Sequence, residues 1–162
     1  MCKRAAYLHK GNALEALGRH KEARECYLKV LPILENEPRS TRVDWEVASA
    51  IVNIANSYSR EGDFDSADKE YKRAEQLGAD HLDVPDGNKA DGMNIKMVAM
   101  RSRAFALQKA GREEEAKSLL REVLDIQKEY GDLMVKERED IRNETMKRTM
   151  EATQAGLNPL AS

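Results

Sequence analysis

The chain has 162 residues, of which 35% are charged and 5% are aromatic, and its formal net charge is −2. A chain of this length typically forms one domain with a sizeable core. The 27 basic and 29 acidic residues nearly cancel, so there is no overall field that would attract nucleic acid or an anionic membrane surface. This composition favours amphipathic helices over a β-sandwich, and we expect an all-α fold.

Membrane and redox signals are weak in this sequence. The apolar runs are short and interrupted by charges, so we expect no membrane insertion and an intracellular, cytoplasmic protein. Cys2 and Cys26 are the two cysteines of the chain, and two cysteines at this length do not indicate a disulfide framework. Cys26 is expected to pack as a small apolar residue.

Apolar residues recur at helical spacing in seven segments. The pattern predicts helices over residues 5–17, 21–37, 43–61, 65–77, 93–110, 113–130 and 133–153. Asp44 is the predicted N-cap of the third helix, and Pro32 should kink the second helix or end it early. The last helix is strongly charged with a thin apolar stripe, as expected of a polar cap. Residues 156–162 are predicted to form a flexible tail.

Residues 78–92 are predicted to form a long loop, because glycine, proline, asparagine and aspartate are concentrated there. Long loops in compact domains are usually functional or disordered. The aspartates of this segment do not alternate as the ligands of an EF-hand calcium site do. We therefore assign them turn and capping roles and expect no metal and no cofactor.

One short pattern occurs three times: a glycine, an alanine five residues later, and a bulky apolar residue four residues after that. Its copies are Gly18, Ala23, Tyr27; Gly62, Ala67, Tyr71; and Gly111, Ala116, Leu120. A glycine can end one helix, and residues four apart share one face of the next helix. Each copy therefore predicts a helical hairpin.

The hairpin pattern resembles the tetratricopeptide repeat, which has small residues where its helices A and B meet and a glycine at the turn. The resemblance covers repeats over residues 4–37, 43–78 and 93–130. It implies an α-solenoid of three hairpins plus a charged C-terminal helix, within one domain over residues 1–155. The turn glycines are 44 and 49 residues apart, against a usual period of about 34, and arrays of longer period resemble those of kinesin light chains.

The resemblance also implies a function, a non-enzymatic scaffold that binds a protein or peptide and is part of a larger complex. In this family helix A lines the concave groove, which here would be polar and basic at its C-terminal end. The predicted groove residues are Asn12, Asn53, Asn56, Arg60, Arg101, Phe105 and Lys109. We expect no catalytic residues, because the three histidines are scattered and no nucleophile lies beside a base.

Three alternatives stay open at this point. The chain could be a structural subunit embedded in a large multiprotein assembly, for example a cytoskeletal or ciliary one, or a helical domain appended to a larger enzyme. It could also be a cochaperone that binds acidic chaperone tails through a carboxylate clamp. Asn12 and Asn53 fit the asparagines of that clamp, but Leu8, Val98 and Ser102 replace its three cations, which removes most of the electrostatic attraction.

Overall fold

The computed structural model describes residues 3–155, so the predicted tail lies outside the described residues. It contains six α-helices, which we number in chain order, and one short 3₁₀ helix. Their bounds are α1 Lys3–Ala16, α2 His20–Glu35, α3 Thr41–Arg60, α4 Phe64–Ala79, the 3₁₀ helix Asp80–Asp83, α5 Lys89–Lys109 and α6 Glu113–Gln154. The predicted all-α helical solenoid is confirmed.

The three turn glycines end the first helix of each hairpin in the left-handed region. Their φ angles are 72° at Gly18, 83° at Gly62 and 75° at Gly111. At the first turn, the Arg19 N–H donates to the Leu14 carbonyl at 2.9 Å. This hydrogen bond between residues five apart is typical of helices that end at a glycine. A Cβ at these glycines would meet nothing within 4 Å. Glycine is therefore needed there for its backbone conformation and not for space.

Tyrosines of the second helices fill the space beside small residues of the first helices. The Tyr27 hydroxyl donates to Asn12 Oδ1 at 2.8 Å, and the equivalent Tyr71 hydroxyl donates to Asn56 Oδ1 at 2.6 Å. A Cβ at Gly11 would lie 2.7 Å from the Tyr27 ring. Repeats one and two thus share the same interhelical contact, in which an asparagine side chain accepts a hydrogen bond from the tyrosine hydroxyl.

The N-terminus of α3 is capped differently from the prediction. Ser40, not Asp44, is the N-cap, and its side chain accepts a hydrogen bond from the Val43 N–H. Asp44 is turned into the protein and is 2% exposed. The prediction of Asp44 as the cap was wrong because the helix begins two residues earlier than its apolar pattern. In α2 the helix continues past Pro32 to Glu35, a little short of the predicted end.

The predicted long loop over residues 78–92 is mostly helical. Helix α4 continues to Ala79, the 3₁₀ helix follows, and α5 begins at Lys89. Gly78 and Gly92 lie inside the two helices, where a Cβ on Gly78 would be 2.7 Å from the Gly92 carbonyl oxygen. The prediction failed because these glycines allow two helices to approach closely and do not serve as turn residues.

Two connections of the chain meet at the N-terminus of α3. His81, fully buried in the 3₁₀ helix, has Nδ1 3.0 Å from Asp44 Oδ2, and Arg39 Nη2 donates to the same oxygen at 2.7 Å. The Thr41 N–H donates to Asp86 Oδ1 at 2.7 Å. We call these five residues, Arg39, Thr41, Asp44, His81 and Asp86, the connection cluster. The lengthened segments between repeats are thus packed together.

Helix α6 replaces two predicted helices. Gly131, expected to separate them, is helical and has open space around it, so a glycine alone did not end the helix. The chain divides into units of residues 1–126 and 127–162. The described part of the second unit, residues 127–155, is largely exposed, including Val135, Ile141, Met146 and Met150. Among the described residues, no helix has the combined length and hydropathy of a bilayer span.

Candidate functional site

A basic cavity lies between the first helices of repeats two and three, α3 and α5. Its volume is about 370 Å³, and it is lined by Asn56, Ser59, Arg60, Tyr71, Arg101, Ser102, Phe105 and Lys109. Five of the seven predicted groove residues are in this set. Three of the eight lining residues are cations, and no carboxylate of the described residues lines the cavity. We call it the basic cavity below.

Helical spacing places the cavity's side chains on two facing helix surfaces. Arg101, Phe105 and Lys109 follow one another at intervals of four along α5, so they share one face of that helix. Phe105 is 59% exposed, and the Lys109 ammonium lies 4.7 Å from the centre of its ring. This distance permits a cation–π contact between these two lining side chains. The face therefore combines positive charge with an exposed aromatic surface.

The tyrosine on the cavity wall is neutral and already bonded. Burial raises the pKa of Tyr71 to about 12, although the nearby charge of Arg60 acts in the opposite direction. Its hydroxyl donates to the carbonyl oxygen of Asn56. The pair therefore forms a polar part of the cavity wall. The oxygen of the Asn56 side chain is already bonded, so this side chain can contact a ligand through its amide hydrogens.

Arg60 has an internal partner that its position in the sequence did not reveal. Its Nη1 contacts Glu15 Oε2 of α1, and His20 Nδ1 lies 3.0 Å from the same oxygen. The Arg60 side chain is 44% exposed, whereas that of Glu15 is 14% exposed. The cation at this end of the basic cavity is thus held by a carboxylate from the neighbouring repeat.

The other two predicted groove residues lie in a different cavity, between α1 and α3. This N-terminal cavity has a volume of about 440 Å³ and is lined by Arg4, Ala5, Leu8, His9, Asn12, Trp45, Glu46, Ser49 and Asn53. The predicted groove is therefore divided into two cavities. Trp45 was missed, although it precedes Ser49 by one helical turn and this spacing places both on one face of α3.

The opposite face of α3 lines a third cavity, of about 400 Å³. Its floor is formed by Val43, Val47 and Ile51, and its wall includes the carboxylates of Glu35 and Glu37. Unlike the basic cavity, it combines an apolar interior with side chains of both signs. The positive character is therefore a property of the α3–α5 side and not of every cleft in this chain.

Side chains that could bind a metal are not clustered in the part of the chain that the structure describes. No group of three or more histidine, cysteine, aspartate or glutamate side chains among residues 3–155 could hold a metal ion. His81 is buried in the connection cluster, and His20 contacts Glu15. Both histidines therefore have contacts that account for their positions.

Family models for the tetratricopeptide repeat match residues 3–77 and residues 97–132. These ranges overlap all three hairpins seen in the fold. The chain belongs to the tetratricopeptide repeat superfamily. Repeats of this superfamily generally mediate protein–protein interaction. No curated protein and no solved structure is significantly similar to the chain, and the kinesin light chain type stays a prediction for this tetratricopeptide protein.

Proposed function

We propose that this tetratricopeptide protein is a non-enzymatic interaction scaffold that holds an acidic segment of a protein partner in the basic cavity. The observation that carries the proposal is the charge of the lining. Arg60, Arg101 and Lys109 contribute three positive charges and no lining residue is acidic, in a chain whose net charge is −2. Such a local excess of one sign favours a partner of the opposite sign.

The chemistry of the lining suits carboxylates beside an apolar group. A guanidinium donates two parallel hydrogen bonds to a carboxylate, and charged hydrogen bonds of this kind are the stronger ones. Phe105 presents an exposed ring next to these cations. Because the cations project from helices and not from loops, the backbone positions that carry them are fixed before a partner arrives. An acidic segment with an apolar side chain would use both features.

The N-terminal cavity would extend the proposed binding surface along α3. Asn12 and Asn53 bring carboxamides, which can donate to and accept from the backbone of an extended peptide. Trp45 lines the same cavity and offers a large apolar surface, and aromatic residues of this kind often anchor an interface. The partner would thus be recognised by charge in the basic cavity and by amide and aromatic contacts in the N-terminal cavity.

The experiment is a fluorescence anisotropy titration with a labelled peptide of six glutamates, amidated at its C-terminus. We expect the wild-type chain to bind at low ionic strength and to lose affinity as salt screens the charges. Arg101→Glu and Lys109→Glu should each weaken binding by about tenfold, because they replace an attractive charge with a repulsive one. The corresponding glutamine peptide should not bind.

Lys69→Glu is the matched control, since it makes the same change of net charge at an exposed position on α4. It should bind the glutamate peptide almost as well as the wild type. Equal weakening by Lys69→Glu and Arg101→Glu would show that only the net charge matters and would contradict the proposed site. A partner recovered from cell extract by the wild type and not by Arg101→Glu would then identify the natural segment.

A further inference from the structure

Arg60 both lines the basic cavity and forms an ion pair inside the protein. It lines the basic cavity, and its guanidinium also contacts the carboxylate of Glu15, which is not a lining residue. Glu15 comes from α1 in repeat one and Arg60 from the end of α3 in repeat two, so the contact joins neighbouring repeats. One of the three cavity charges is therefore partly neutralised by the protein itself.

The contact between Glu15 and Arg60 leaves Glu15 incompletely bonded. Glu15 Oε1 is buried and has no hydrogen-bond partner among the described residues, which carries a free-energy cost for a charged oxygen. The contacts of this carboxylate with His20 and Arg60 both use the other oxygen, Oε2. A carboxylate held through one oxygen is a weaker partner for arginine than one that uses both.

His20 makes the arrangement still less satisfied. Its Nδ1 lies 3.0 Å from Glu15 Oε2 and 3.4 Å from Arg60 Nη1. Nδ1 must carry a proton to donate to Glu15, and it must lack one to accept from Arg60. One of these two contacts is therefore always unfavourable. Arg60 is therefore bound by Glu15 in an unsatisfied arrangement, and another carboxylate can replace Glu15.

We propose that Glu15 is an internal competitor for the acidic partner. With the cavity empty, Glu15 occupies Arg60; when an acidic segment enters, a partner carboxylate takes over the guanidinium or must bind against the negative charge of Glu15. In both cases Glu15 lowers the affinity and sets how acidic a segment must be to bind. This inference rests on the proposed function, because it concerns the ligand of the same cavity.

The test measures binding of the labelled six-glutamate peptide to Glu15→Gln, Arg60→Gln and the double variant. Glu15→Gln keeps the shape of the side chain and removes its charge, so affinity should rise about two- to fivefold, the range set by exposed ion pairs. The gain should disappear in the Arg60→Gln background, because the competition acts through Arg60. Glu15→Ala is the second variant and should change affinity in the same direction.

Glu25→Gln is the matched control, because it removes the same charge at an exposed position on α2. If Glu15→Gln binds no more tightly than Glu25→Gln, or if its gain persists without Arg60, the internal competitor is ruled out. The proposed function would still stand in that case, provided that Arg101→Glu weakens binding. Absence of binding to the wild type and to every variant would overturn both.

Discussion

The two ends of α3 carry the same three kinds of side chain in different surroundings. At the N-terminal end, Arg39, Asp44 and His81 meet with Asp44 2% exposed and His81 fully buried. At the C-terminal end, Glu15 and His20 meet Arg60 with side chains that are 14%, 26% and 44% exposed. Arg39 is 43% exposed, about as much as Arg60, so the clusters differ in the other two side chains. The carboxylate and the histidine are shielded from solvent at the N-terminal end and partly exposed at the C-terminal end.

The difference between the clusters lies in how completely the carboxylate is bonded. Both oxygens of Asp44 accept hydrogen bonds from Arg39, and His81 Nδ1 lies beside Oδ2. Glu15 is bonded through one oxygen only, within the described residues. A buried and fully bonded group is costly to disturb, whereas a pair with one exposed partner contributes less to stability. The same residue types thus fix the fold at one end and leave an adjustable contact at the other.

The largest effect should come from Asp44→Ala in the connection cluster. The substitution leaves the buried His81 and the guanidinium of Arg39 without their acceptor, and removing one partner of a buried pair costs about 3 kcal/mol or more. We expect the free energy of unfolding, measured by urea titration with circular dichroism, to fall by this amount. Glu15→Ala, the matched variant at the other end of α3, should cost less than about 1 kcal/mol.

Similar losses for Asp44→Ala and Glu15→Ala would break the comparison between the two clusters. Should Asp44→Ala fail to fold, Asp44→Asn keeps an acceptor oxygen for one partner and should show a smaller loss of the same sign. A change within experimental error in both Asp44 variants would contradict the structural role of the connection cluster.

A second and smaller effect is expected at the helix contact beside the connection cluster. In Gly78→Ala the added Cβ would lie 2.7 Å from the Gly92 carbonyl oxygen and 2.7 Å from the Lys96 nitrogen. Both are backbone atoms, so the helices must move apart, at about 2 kcal/mol. Gly131→Ala is the control, because its Cβ has open space and alanine stabilises a helix by up to about 1 kcal/mol over glycine.

Opposite signs for Gly78→Ala and Gly131→Ala, read from the same urea titrations, would sharpen the distinction between tightly packed and open regions of the chain. A stabilising Gly78→Ala would contradict the close approach of α4 and α5.

The sequence was sufficient to predict the hairpins, because their signals are local. Gly18, Gly62 and Gly111 mark turns that need a positive φ, and each signal depends on neighbours within a few residues. The connection cluster could not be predicted in this way. Asp44 and His81 are 37 residues apart, and a turn-rich composition does not distinguish a loop from helices that pack through glycine.

The candidate site was likewise predictable where its residues share one helix and not where it depends on contacts between repeats. Helical spacing placed Arg101, Phe105 and Lys109 on one face, and the structure has them in one cavity. The separation of Asn12 and Asn53 into another cavity depends on how neighbouring repeats pack, which spacing along one helix does not contain. The pairing of Arg60 with Glu15 was missed for the same reason, since the two residues belong to different repeats.

A third cluster of charges joins α4 and α5, and its carboxylates are about as exposed as Glu15. Arg103 of α5 contacts Asp68 and Glu75 of α4, and all three side chains are 15–17% exposed. Burial raises the pKa of Glu75 above its ordinary value, against the attraction of Arg103. For Asp68, burial acts in the same direction, but hydrogen bonds from Lys72 and Arg103 outweigh it and lower the pKa. The two carboxylates should therefore affect stability with opposite pH dependence.

The smallest predicted effect is this pH dependence, measured on wild type, Glu75→Gln and Asp68→Asn from about pH 2.5 to about pH 7. Because the folded state raises the pKa of Glu75, it binds that proton more tightly than the unfolded chain does. The stabilisation from Glu75 is present below its ordinary pKa of 4.5 and is lost as the pH rises through the raised value. The wild type should therefore lose stability relative to Glu75→Gln as the pH increases.

Asp68→Asn should give the opposite slope. A carboxyl with a lowered pKa stabilises the fold above its ordinary value of 3.8, and this stabilisation is lost as the pH falls. Equal slopes in the two variants would contradict the opposite effects of burial on Glu75 and of hydrogen bonding on Asp68.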